Sequence, residues 1–167
     1  EAPEPGILDQ PPRARSTPLL DREALVRVFG WLGPLEGALA LIVYFMAFWA
    51  AGWRPGAPPI ADALVYAQAT TLTYAAIVLA QVGNAFASRT RDASLFQVGL
   101  FSNRALLLGV LASLALMLAL LYTPPLARIF GFVPPTPAQW ALLASFPFVM
   151  LFAEEGRKWL ARRRARS

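Results

Sequence analysis

The sequence predicts an all-α protein, an integral membrane bundle of four transmembrane helices. Three observations carry that prediction. Hydrophobic residues make up 57% of the 167 positions and the mean hydropathy is +0.49, whereas a soluble chain of this length needs a more polar surface. The apolar residues gather into four stretches, each close to the roughly 17–25 residues that a helix needs to cross a bilayer. Charged residues are few, at 15%, and unevenly placed. In lipid every backbone polar group must be satisfied internally, which a helix does within one segment.

Taken in order, residues 1–30 read as a cytoplasmic lead-in loop carrying Arg13, Arg15, Arg22 and Arg27. The first span runs from Trp31 to Trp53. Glu36 lies near its start, after Pro34, where the expectation is a reach to headgroups or a basic partner rather than a role in transport. The linker AGWRPGAPPI is rich in Pro and Gly, which end helices. The second span covers 63–87 and the third 105–122. In the third, Gly109, Ala112 and Ser113 share a face and predict close helix packing. YTPPLARIFGFVPPTPAQ punctuates the chain again before a fourth span over 137–153, where Pro147 predicts a bend. Residues 154–167 form a basic cytoplasmic tail. It opens with an interfacial charge cluster of Glu154, Glu155, Arg157 and Lys158, with Glu154 and Arg157 as a weak (i, i+3) pair on a solvated surface.

With four spans, both termini share one side. Thirteen of the fifteen basic residues fall on that side, and only Arg54 and Arg128 on the other. Such a bias over short loops predicts cytoplasmic termini in a multi-pass protein of the plasma (inner) membrane. Trp31, Trp53, Trp140 and Trp159 sit near span ends, where indole rings favour the interface. The basic tail is a topology signal, with an anionic-lipid site as the sharper alternative.

The second span carries a polar stripe. At about 100° per residue, Thr70, Tyr74, Gln81 and Asn84 fall within an arc of about 80°. Leu72, Leu79, Val82 and Phe86 lie opposite and are expected to meet lipid. Gln81 is about 9 Å from the cytoplasmic end of the helix. Two roles remain open for this stripe. It either marks a cation site or pathway, with Gln81 and Asn84 as the tentative cation-site residues and Tyr74 behind them, or it supplies interhelical hydrogen bonds.

Cysteine and histidine are absent, which removes thiolate chemistry, the commonest general base and the commonest metal ligand. No phosphate-binding loop, dinucleotide fingerprint or nucleophile elbow occurs. The expectation is a chain that is no enzyme on its own, holds no cofactor and binds no nucleic acid. The bilayer is its first partner.

EPGILDQPPR, Gln81 and Asn84 with RTRDASLF, LFSNRALLLG, and the spacing from Tyr122 to Trp140 together resemble the C-terminal membrane part of a cation-transporting P-type ATPase of the calcium-pump and sodium/potassium-pump group. EPGILDQPPR resembles the loop after the sixth transmembrane helix, although Gln10 departs from the basic residue common there. Gln81, Asn84 and RTRDASLF resemble the end of the eighth helix. LFSNRALLLG resembles the start of the ninth. Tyr122, Pro125, Leu126, Ile129, Phe130, Gln139 and Trp140 match the spacing into the tenth, and Glu155, Arg157, Lys158 and LARR match its end. The resemblance implies a support region, helices seven to ten, bracing and partly lining the ion site of a parent pump that uses ATP and Mg. It implies as partners the N-terminal part of that pump, with its core helices and cytoplasmic domains, and the transported cation. At Gln81 calcium pumps have a ligating glutamate and sodium/potassium pumps a glutamine; Asn84 matches the calcium pumps. The aspartyl-phosphate motif DKTGT is absent from the chain. The alternative is a stand-alone four-helix membrane subunit or assembly factor.

Overall fold

The computed structural model describes residues 22–58, 60–90, 94–99 and 101–164. The Glu4–Arg13 motif and Arg13, Arg15, Arg91 and Arg166 lie outside them. The elements are α1 (Arg22–Arg27), a π-helical segment (Val28–Leu32), α2 (Gly33–Ala50), α3 (Ala63–Ala87), α4 (Leu95–Val98), α5 (Arg104–Tyr122), α6 (Pro124–Phe130), α7 (Pro137–Leu143) and α8 (Phe146–Arg164). No strand occurs among the described residues, and the fold is an all-α membrane bundle. Three helical stretches among them are long and apolar enough to cross a bilayer: Ala24–Ala50, Ala63–Ala87 and Arg104–Tyr122. The fourth apolar stretch is split into α7 and α8 by a turn at Ala144 and Ser145. Pro147 sits just past that turn, where a residue without an N–H is tolerated.

The starts of α3, α5 and α7 are capped by side chains. Asp62 Oδ1 accepts from the N–H groups of Leu64 and Val65 at 2.8 and 3.3 Å. Asn103 accepts from Leu106 N–H at 3.0 Å. Thr136 and Gln139 form a reciprocal capping box at the start of α7. The first long helix runs through Pro34 without breaking. Its π-helical segment lies immediately upstream, and Gly33 N–H bonds Val28 O, five residues back. A wider turn there makes room ahead of the proline.

α3 is the central helix, and it packs through small residues. Ala69, Ala76, Ala80, Gly83 and Ala87 are buried against α2 and α8. Leu39 and Val43 of α2, Leu143 of α7 and Phe146 and Met150 of α8 close the core. In lipid such contacts act by van der Waals packing, which small residues favour by letting backbones approach. Gly83 marks the closest approach, since a Cβ there would overlap the backbone carbonyl of Pro147.

One expectation about helix faces fails here. Leu72 does not meet lipid; it is buried in the core. The small-residue face of Gly109, Ala112 and Ser113 on α5 is exposed within this chain. Of the residues of α5, only Met117 and Leu121 are buried, so this helix joins the bundle mainly through its far end.

Candidate functional site

α2 and α3 run antiparallel, which brings a carboxylate to the polar stripe. Gln81 Nε2 donates to both carboxylate oxygens of Glu36, at 2.9 and 2.8 Å. Asn84 Nδ2 donates to Gln81 Oε1 at 3.4 Å, and Ser88 Oγ donates to Asn84 Oδ1 at 3.1 Å. Glu36, Gln81, Asn84 and Ser88 therefore form one hydrogen-bonded row at the basic end of α3. The expected headgroup or basic partner for Glu36 is replaced by a neutral amide. The amide spends its N–H groups on the carboxylate and turns its oxygen to Asn84.

Gln81 is exposed on a groove of about 620 Å³ between α3 and α5, which Tyr74, Gly109 and Ser113 also line. Tyr74 lies along the groove but its ring stacks on Phe132, with centroids 5.0 Å apart. Thr70 turns its hydroxyl back to the carbonyls of Tyr66 and Ala67. Thus Gln81 and Asn84 meet directly, whereas Tyr74 stands apart and Thr70 is satisfied by its own helix. Glu36 was missed as a member of the site. Its signal was a carboxylate placed inside an apolar run, but its partner depends on how two helices pair. The chemistry available is a set of hard oxygen donors from two helices. Oxygen ligands suit hard cations, which require about six to eight of them for calcium. No group of three or more His, Cys, Asp or Glu is placed to hold a metal ion among the described residues.

A second polar cluster ties the helix ends together. Glu154, fully buried, pairs with Arg27 Nε at 2.7 Å and Arg157 Nη2 at 2.8 Å. Lys158 Nζ, also buried, donates to Ala87 O at 2.9 Å and Thr90 Oγ1 at 2.7 Å, and Arg27 Nη2 donates to the same carbonyl at 3.3 Å. Two cations thus cap the negative end of α3. Burial lowers the Lys158 pKa despite the opposing charge of Glu155. Burial acts to raise the Glu155 pKa, but hydrogen bonds from Ser94 and Leu95 N–H and the charge of Lys158 outweigh it and hold it below the ordinary value. Through those bonds Glu155 pins α4. The Glu154–Arg157 pair is therefore not a solvated surface contact; Arg27, distant in sequence, completes and buries it. At the opposite end, Val133 N–H donates to Thr71 Oγ1 at 3.0 Å and Trp140 Nε1 to Tyr122 Oη at 2.8 Å.

Apolar helices of membrane-spanning length, with a carboxylate–amide row facing a groove between two of them, define a polytopic membrane protein. The family model described as "Cation transporting ATPase, C-terminus" matches residues 1–160. The chain is 28% identical over 164 residues to calcium-transporting ATPase 1 of Schizosaccharomyces pombe, covering 98% of this chain and 17% of that protein. It is 31% identical over 156 residues to a calcium-transporting ATPase of Bacillus subtilis, covering 93% and 16%. A calcium-transporting ATPase of Plasmodium falciparum is 36% identical over 97 residues, covering 58% and 8%. The chain belongs to the family of cation-transporting ATPase C-terminal domains. It spans less than a fifth of the length of these relatives.

Proposed function

We propose that this chain is the C-terminal membrane support region of a P-type cation pump, bracing the core helices and lending oxygens to the edge of the ion site. The observation that carries this reading is the exposed amide of Gln81, bonded to Glu36 and facing a groove between α3 and α5. Lipid rejects such a polar stripe, and protein or a hydrated path accepts it. The remaining helices of the parent pump are the occupant this reading assigns to that groove. Calcium, named for the relatives, is the first cation to test here. ATP and Mg serve the parent's catalytic domains, and this chain alone does not form a phosphoenzyme.

Gln81→Leu in the complete pump removes the amide and also strands the Glu36 carboxylate. The test is therefore a cycle of Gln81→Leu, Glu36→Leu and the double variant, read by cation-dependent ATPase activity. Loss of one neutral ligand is expected to cost about 1–3 kcal/mol, or roughly 5- to 150-fold in apparent affinity. If the double variant folds and titrates every cation like the parent, the row is a packing device only and the ion-site role fails.

The proposed topology puts both termini and the loop between α3 and α5 in the cytoplasm. The structure supports this by gathering Arg27, Ala87, Glu155 and Lys158 at one end. Single cysteines at Gly56 and Gly131 are expected to label with an impermeant reagent from outside intact cells, and one at Ser94 is not. Labelling at Ser94 refutes the arrangement.

A further inference from the structure

A second groove, about 650 Å³, lies on the outer side of the bundle between the first long helix and α8. Trp31, Phe152 and Leu160 line it, and Arg27 and Arg157 stand on its rim. Gly30 and Gly156 also line it. A Cβ on Gly156 would meet nothing within 4 Å, and one on Gly30 only Val26 Cγ1 at 3.7 Å. The absent side chains leave a slot between two helices that are otherwise apolar here. Trp31, Phe152 and Leu160 are 43%, 59% and 51% exposed, so none of the described residues covers the slot.

Charge selects the occupant. From Glu154 to Arg164, α8 carries five cations and two carboxylates. Both carboxylates are committed to internal partners. Arg27 and Arg157 share the buried Glu154 yet keep 17% and 26% of their side chains exposed. Trp31 lies one helical turn past Arg27, and Phe152 lies more than one turn before Arg157, both away from the basic end of the bundle. The slot therefore carries two partly exposed guanidinium groups beside an apolar length reaching Trp31 and Phe152, with Leu160 about one turn beyond Arg157.

We propose that this groove binds one anionic phospholipid, its phosphate at the Arg27–Arg157 rim and an acyl chain laid over Gly30 and Gly156 toward Trp31 and Phe152. Guanidinium groups suit phosphate oxygens. A basic residue near an anionic lipid surface adds attraction worth about fivefold. The site is distinct from the Glu36–Gln81 row and stands whether or not that row serves an ion.

The test is native mass spectrometry of the full chain in detergent, titrated with phosphatidylglycerol or with phosphatidylcholine of the same acyl chains. One phosphatidylglycerol is expected to be retained, with about fivefold or greater preference over phosphatidylcholine. Gly156→Leu places its Cβ in open space and improves helix propensity, so it is expected to fold, fill the slot and lose that preference. Gly109→Leu, which fills the other groove, is expected to keep it. Four outcomes overturn the proposal: equal retention of both lipids, preference intact in Gly156→Leu, displacement by soluble glycerol phosphate alone, or a chain dimer in place of bound lipid. Loss of preference on neutralising Arg162, Arg163 and Arg164 while Gly156→Leu retains it also overturns it, because the tail is then the attractor.

Discussion

Glu154→Ala is expected to destabilise the bundle by about 3–5 kcal/mol, enough to lower its thermal midpoint in detergent by several degrees. Glu154 is fully buried and receives Arg27 from the first helix and Arg157 from its own. Its removal leaves two guanidinium groups facing each other across a site built for their counter-charge. The lower end of the range is expected, because both arginines retain some exposure and can recover water or headgroups. Exposed (i, i+3) pairs typically contribute only a few tenths of a kcal/mol, so the measurement separates a keystone from an ornament. A midpoint unchanged from the parent protein would show that the cluster contributes nothing to holding α1 against α8.

The second large effect is steric. Gly83→Ala adds one methyl group where Pro147 already sits, and the obstacle is backbone rather than the end of a flexible side chain. Overpacking of that kind costs about 1–3 kcal/mol, with expression expected to fall in proportion. Gly109→Ala is the matched control. It adds the same methyl group on another membrane helix where nothing lies within 4 Å. Helix propensity alone then makes it neutral or stabilising, by up to about 1 kcal/mol. Thermal unfolding of the two variants side by side decides the matter. Equal midpoints would mean that α3 and α8 do not approach as closely at Gly83 as described.

What could be read from the sequence divides along physical lines. Helix existence is a local property: length, apolarity and punctuation by Pro and Gly mark the stretches that α2, α3 and α5 occupy. The members of the polar stripe followed from helical period, and Gln81 and Asn84 do meet. Partner choice across helices is not local. Glu36 and Gln81 are 45 residues apart, and Arg27 and Glu154 still farther, so neither pair leaves a trace in spacing. Apolarity also fails to distinguish a lipid-facing side chain from one packed on a neighbour, since both environments are equally greasy. Leu72 was misjudged for that reason, and the Ala and Gly face of α3 passed unnoticed because small residues carry little hydropathy signal.

The wide turn at Val28–Leu32 sets the phase of everything before it. One extra residue in a turn shifts the upstream helix by about 100° relative to an unbroken one. Without it, the azimuth that Arg27 occupies would fall to Val28, and buried Glu154 would look onto an aliphatic side chain. The proline-relieving bulge thus works as a vernier. It lets one continuous helix present Glu36 to α3 on one bearing and Arg27 to α8 on another, so that a single rod serves two different seams of the bundle.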